Sequence, residues 1–444
     1  MIILIIYLAV LFAIGIHDYY SIKGFDDYVL AGRKQKQGIV TMSILATVVG
    51  ASATMGISTL AARYGITAFL WLGSGGIALM LQSVFLSERI RNLNVYTLPG
   101  LAELTAGREG KILTSLIIVI SWTGIIAAQF VALSSIASLL TGMKAGAVFM
   151  IICSAVIIIY TAFGGQFSIM RTDALQFILL AAGITAALFA VMGGSSIGLT
   201  DIISFKGSGS GDTVPVVKIF HLIFIVGGAY FIGPDIFSRN FTSDSASTAR
   251  KATMTAGAAL LLISIAVTLI GVYAALLDPG LSENPFIFII KNIAGKYVGI
   301  IIILGLLSAV ISSTDTCIMT VAAIIEKEII GRTNIITTRV IVLVTGTASL
   351  LLALFRKDIL SLLTGTYSVF SPGVVFPLFT SLVVYGKRRV SKPLWLAAVC
   401  AGGLFGIAGN ITGREYLSLA GMGVSAGLSL LSVLKQAEKP QEFK

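Results

Sequence analysis

Long apolar runs dominate the chain, and the short stretches between them carry most of its Arg, Lys, Asp and Glu. The runs are roughly 17–30 residues long, the length a helix needs to cross ~30 Å of hydrocarbon. Thirteen of them can be placed, near 1–17, 38–62, 66–87, 112–141, 145–163, 172–193, 214–236, 252–277, 297–325, 336–355, 359–385, 391–410 and 415–434. They are apolar nearly all round, which suits helices in lipid or inside a membrane bundle. The first run has no basic residues ahead of it and no small-residue cleavage site, so it reads as a retained span. The stretch 194–213 contains Gly207-Ser208-Gly209-Ser210-Gly211 and reads as a flexible connector. The expected architecture is an all-α integral membrane protein of thirteen transmembrane helices.

Composition narrows the functional classes. Of 444 residues, 56% are hydrophobic and 11% charged, less than half the charge of an ordinary soluble domain. The formal net charge of +11 is explained by topology. With the N-terminus outside, 22 of the 31 basic residues fall on cytoplasmic segments and 9 on the other side. That is the asymmetry of a cytoplasmic C-terminus, and it implies no nucleic-acid partner. Cys153, Cys317 and Cys400 lie inside spans with no metal spacing, and only His17 and His221 are present. A histidine-based metal centre or a membrane-embedded transferase, which needs clustered His, Asp or Glu, is therefore disfavoured.

The chemistry left is buried within the spans. Asp173, Asp235 and Asp315 stand in apolar surroundings, where each charge costs at least ~2.5–3.5 kcal/mol and needs a partner or a wet cavity. Asp235 precedes Arg239 by four residues near the cytoplasmic end of its span, and reads as its helical pair or as a carboxylate exposed at the span's end. Asp173 reads equally as a first-turn carboxylate or as a functional acid. Asp315 lies mid-span in Ser308-Ala309-Val310-Ile311-Ser312-Ser313-Thr314-Asp315-Thr316, with Ser312, Ser313 and Thr316 sharing a face. Hydroxyls and a carboxylate are hard oxygen ligands, suited to a small alkali or alkaline-earth cation. The second span carries Val48-Val49-Gly50 and Gly56, and the seventh carries Gly227-Gly228 and Gly233-Pro234. These interruptions are five spans apart, an odd number, so five-helix repeats opening on them have opposite orientations in the membrane.

Four segments, in order, resemble the sodium:solute symporter family: Phe25-Asp26-Asp27-Tyr28-Val29-Leu30-Ala31-Gly32-Arg33; Tyr160-Thr161-Ala162-Phe163-Gly164-Gly165 with Thr172-Asp173-Ala174-Leu175-Gln176; Gly233-Pro234-Asp235 with Arg239, Ala249 and Arg250; and Ala309 to Asp315. The resemblance implies a LeuT-type five-plus-five inverted repeat with discontinuous helices. Its parts would be 1–37 (first span and loop), 38–193 (repeat 1), 194–385 (repeat 2) and 386–444 (peripheral spans and tail). It further implies a sodium site from the Ala46, Val49 and Ala309 carbonyls and the Ser312 and Ser313 hydroxyls. A second sodium site would fall on Asp173, Asp315 and Thr316, although acidic Asp315 departs from the hydroxyl usual there. Gly50, Ala53, Gln129 and Gly233 would face the solute, and Ala53 lacks the polar side chain of the sugar-transporting branch.

The function implied is sodium-coupled import of a small organic solute, an amino acid or carboxylate, by alternating access. The protein would be a functional monomer in the bilayer of the cell inner membrane. A sugar or other neutral solute is the alternative, and a cation channel the rival from another class. A channel needs an uninterrupted pore and passes ions without stoichiometric solute.

Overall fold

The structure is a computed structural model that describes residues 2–141, 146–193, 197–207, 215–355, 358–386 and 388–434. Among these the chain is helical throughout, with a single isolated bridge between Gln35 and Ser243. Ten helices are long and apolar enough to cross a membrane, and Ile5–Tyr19 and Gln37–Val48 are shorter apolar helices. Two of the ten are long enough for two crossings of ~20 residues each. Ser52–Asn92 has 41 residues and Ala147–Gly193 has 47, about 60 and 70 Å of helix against ~30 Å of hydrocarbon. Each is interrupted by a glycine with positive φ, Gly65 (63°) in the first and Gly165 (56°) in the second. At Gly165, ψ is −161°, a region open essentially to glycine alone. A Cβ there would also lie 2.5 Å from the Tyr28 ring.

Helix Lys296–Ile324 is the axis of the molecule, buried at every residue from Leu306 to Ile324. It packs against Gly146–Gly193, Leu98–Thr141 and Gln37–Val48. Helices Lys392–Thr412 and Glu415–Leu434 pack chiefly on each other and turn Leu404, Ile411, Leu430 and Leu434 outward, the surface expected of helices facing lipid.

Local differences from the sequence reading have local causes. Within the stretch read as a flexible connector, Leu199–Ser204 is a helix whose start is held by Asp201 bonding back to the Gly198 N–H at 2.8 Å. Positions 208–211 of its glycine-serine run lie outside the described residues. The fourth apolar run is preceded by an extra helical segment from Leu98, broken at Gly107. Of the glycines read as interruptions, Gly56, Gly227 and Gly228 are helical. Gly227 lies against Ser74, and Gly228 against Met422 and Val375, so both serve helix packing.

Candidate functional site

The second apolar run does break. Helix Gln37–Val48 ends where Val49 leaves helical geometry (φ −94°, ψ 58°), and the chain resumes in a wide turn, Ser52–Gly56, before Ile57–Tyr64. Two β-branched residues ahead of a glycine give this segment little helix propensity. Side chains from other helices take over the lost backbone bonds. Ser312 Oγ donates to the Ala46 carbonyl at 2.8 Å, Ser313 Oγ donates to the Thr47 carbonyl at 2.6 Å, and the Ala51 N–H donates to Gln129 Oε1 at 3.0 Å. Gly50 has no room for a side chain, since a Cβ would lie 2.4 Å from Ser313 Oγ and 2.7 Å from Gln129 Nε2.

Ser312 stands out in hydrogen-bond arithmetic. Its hydroxyl oxygen is 2.8 Å from the Ala46 carbonyl oxygen, 2.7 Å from that of Ser308 and 3.2 Å from that of Ala309. One hydroxyl proton cannot serve three acceptors. The cluster is electron-rich and fully buried, which is the chemistry of an oxygen site for a hard cation. Of the five residues read as sodium ligands, Ala46, Ala309 and Ser312 therefore converge directly. Ser313 stands against the same break, and Val49 is the residue at which the helix opens.

The acidic residues are arranged differently from the sequence reading. Arg239 does not pair with Asp235. It is fully buried, and its Nη2 donates to Asp173 Oδ2 at 2.9 Å and to Thr316 Oγ1, while its Nε donates to Ser43 Oγ at 2.9 Å. Ser43 in turn donates to Asp173. Asp173 is thus no first-turn carboxylate; it lies two turns beyond Gly165 and faces a guanidinium. Asp315 accepts from the Tyr160 hydroxyl, and Thr316 Oγ1 lies 3.4 Å from its second oxygen. Asp173, Asp315 and Thr316 are therefore brought together, but around Arg239. The guanidinium offsets one carboxylate of two.

The seventh run breaks at Ile232 (φ −130°, ψ 52°) and Gly233, after which Pro234 starts helix Pro234–Thr242. Proline suits a first helical position because the N–H it lacks would be unpaired there. This break and that of the second run face one cavity. Thr47, Val48, Gly50, Ser52, Gln129, Ser313 and Cys317 line it, with Ala229, Tyr230, Asp235, Ile236, Trp122, Ile125 and Tyr367. Its volume is about 30 Å³, room for a water or two and far too little for an organic solute. Of the residues read as solute contacts, Gly50 and Gln129 line it, Gly233 forms the adjoining break, and Ala53 is buried without reaching the cavity wall. Sequence reasoning missed Trp122, Tyr230, Tyr367 and the cavity-facing place of Asp235. Aromatic residues in apolar helices look like packing material until a break is placed beside them.

The fold has known counterparts. A Na+-coupled sialic acid symporter in a substrate-bound outward-open state superposes with a TM-score of 0.82, covering 98% of this chain and 97% of its own at 17% identity. Mhp1, a nucleobase-cation-symport-1 family transporter captured closed with bromovinylhydantoin, gives a TM-score of 0.65 over 91% and 93% of the two chains at 14% identity. The fold is one that this chain shares with multi-pass membrane transporters. The family is narrower. A profile of the sodium:solute symporter family matches residues 28–392, and the sodium/proline symporter of Salmonella typhimurium is 26% identical over 360 residues, 73% of this chain and 69% of its own. The chain belongs to the sodium:solute symporter family and carries out sodium-coupled symport of a small organic solute.

Proposed function

We propose that the protein imports a small amino or carboxylic acid together with sodium by alternating access. The sodium ion, as co-substrate, is held by the Ala46, Val49 and Ala309 carbonyls and the Ser312 and Ser313 hydroxyls. The carrying observation is the Ser312 hydroxyl facing three carbonyl oxygens across the broken helix. Neutral oxygens attract a monovalent ion without trapping it, as release in every cycle requires. Reading the interruptions at Gly65 and Gly165 as turns between crossings, and Gln37–Val48 with Ile57–Tyr64 as one broken crossing, yields thirteen spans. Broken spans two and seven then open two inverted five-helix repeats. The 22-to-9 split of basic residues supports the N-terminus outside and the C-terminus in the cytoplasm of an inner-membrane monomer.

Mechanistically, sodium joins the second-run break to helix Lys296–Ile324 and favours an outward-open state. Solute then enters between the two breaks, the walls close on it, and rocking about the repeat interface releases both inside. One ion per cycle is the default, because Arg239 already stands among Asp173, Ser43 and Thr316. Ser312→Ala removes a charge-site oxygen and should lower apparent sodium affinity about 10-fold or more. Proteoliposome uptake against a sodium titration checks this, and an unchanged sodium dependence would refute the site.

A further inference from the structure

We infer that Asp235 anchors a positively charged nitrogen of the solute, so that the substrate class is amines and amino acids rather than nitrogen-free acids or sugars. This deepens the symport reading above and rests on it. Asp235 is the one ionisable carboxylate on the cavity wall, and the residues that line the cavity with it include no Lys, Arg or His. It lies deep in the bundle yet keeps accessible surface, and that surface faces the cavity.

Its nearest chain cation is already engaged. Arg239, four residues on, donates to Asp173, Ser43 and Thr316, and no ion pair among the described residues includes Asp235. The start of helix Pro234–Thr242 places N–H groups beside the carboxylate, and the helix dipole there favours a negative charge without neutralising it. A cap alone does not explain a charge here, since Asn or Ser caps a helix as well. A charge placed where water is scarce calls for an opposite charge.

The remaining wall fits the same ligand. Trp122, Tyr230 and Tyr367 present three aromatic side chains to the space that Asp235 faces. Ring faces attract cations, and ammonium groups are commonly bound by aromatic side chains and a carboxylate together. A nitrogen-free carboxylate would instead meet Asp235 as a like charge. A zwitterion is accommodated at both ends, with its nitrogen at Asp235 and its carboxylate toward the sodium-binding hydroxyls of Ser312 and Ser313.

The test is a thermal-shift series on the detergent-purified full chain and an uptake series on the same chain in proteoliposomes, each with and without sodium. The probes are L-proline, choline, cyclopentanecarboxylate and D-glucose; the first and third are nearly the same shape and differ in the nitrogen. The expected result is sodium-dependent stabilisation and uptake with L-proline or choline and none with the other two. Asp235→Asn should weaken that response about 10- to 100-fold, and Asp235→Glu should retain part of it, with the unliganded melting temperature and sodium shift of both variants close to wild type. Sodium-dependent binding of cyclopentanecarboxylate or glucose, an Asp235→Asn response equal to wild type, or no response to either nitrogen compound would overturn the assignment. So would an Asp235→Asn variant that loses its sodium shift but keeps its solute, because the carboxylate would then be holding the ion. Failure of the symport reading looks different: uptake of any of the four probes would proceed without sodium.

Discussion

At the scale of single residues, the main finding is how few charges the membrane interior holds and how unequally they are matched. Arg239 pairs directly with Asp173, whereas Asp315 bonds the hydroxyls of Tyr160 and Thr316 and makes no direct ion pair among the described residues. An uncompensated buried carboxylate costs several kcal/mol unless a cation or proton joins it. Asp315→Asn keeps the shape and removes the charge, so it should change apparent sodium affinity or the number of charges moved per solute. Current and tracer flux measured together in proteoliposomes give that ratio, and an unaltered ratio with unaltered affinity would make Asp315 a structural residue. Asp315 was legible as a residue needing explanation because no other residue in its run carries a charge. Arg239 was misassigned because a neighbour four positions away in sequence is always available to a helix, whereas Asp173 comes near only once two distant helices pack.

At the scale of elements, function rests on helices that stop early. Val49-Gly50 and Ile232-Gly233 interrupt two helices; at the first break the freed carbonyls and N–H group are taken by Ser312, Ser313 and Gln129, and at the second the Phe231 carbonyl accepts from Gln82 Nε2 at 3.1 Å. The two broken elements are also tied together away from the cavity. The Gln35 N–H donates to the Thr242 carbonyl at 3.1 Å, the Asp244 N–H to the Gln35 carbonyl at 3.0 Å, and Arg91 Nε to the Ser243 carbonyl at 2.7 Å. Nearby, Tyr96 donates to Asp26 at 2.7 Å, which raises its hydroxyl pKa, while Arg33 and Lys327 sit over its ring at 5.5 and 4.6 Å. This clasp closes one end of the site. Arg91→Ala should loosen it and expose Cys317, which lines the cavity and is 2% exposed. In a Cys400→Ser background, maleimide labelling of Cys317 should then run several-fold faster; an unchanged rate would place the closing contacts elsewhere.

At the scale of the whole molecule, coupling is an energy balance. One sodium ion moving down ~100 mV and a tenfold gradient releases roughly 3.7 kcal/mol, enough to accumulate a neutral or zwitterionic solute several-hundred-fold. A second ion would square that ratio. The steady-state accumulation in vesicles under that gradient of whichever labelled probe the uptake series identifies should plateau in the hundreds, and a plateau near the squared value would show that two ions are carried. Such coupling also requires that solute and ion never see an open path. The 30 Å³ cavity is consistent with a closed site whose walls part on one side at a time.

The apolar runs, the basic asymmetry and the helix interruptions were all readable along the chain, because membrane crossing and helix propensity depend on local composition. Those properties established a helical membrane protein and pointed to the hydroxyls of Ser312 and Ser313. Which carboxylate meets which cation was decided only by tertiary packing, since Asp173 and Arg239 are 66 positions apart and a Coulombic pairing is fixed by distance in space. The same holds for Trp122, Tyr230, Tyr367 and Asp235, four side chains from four helices that share a wall only after the bundle has closed.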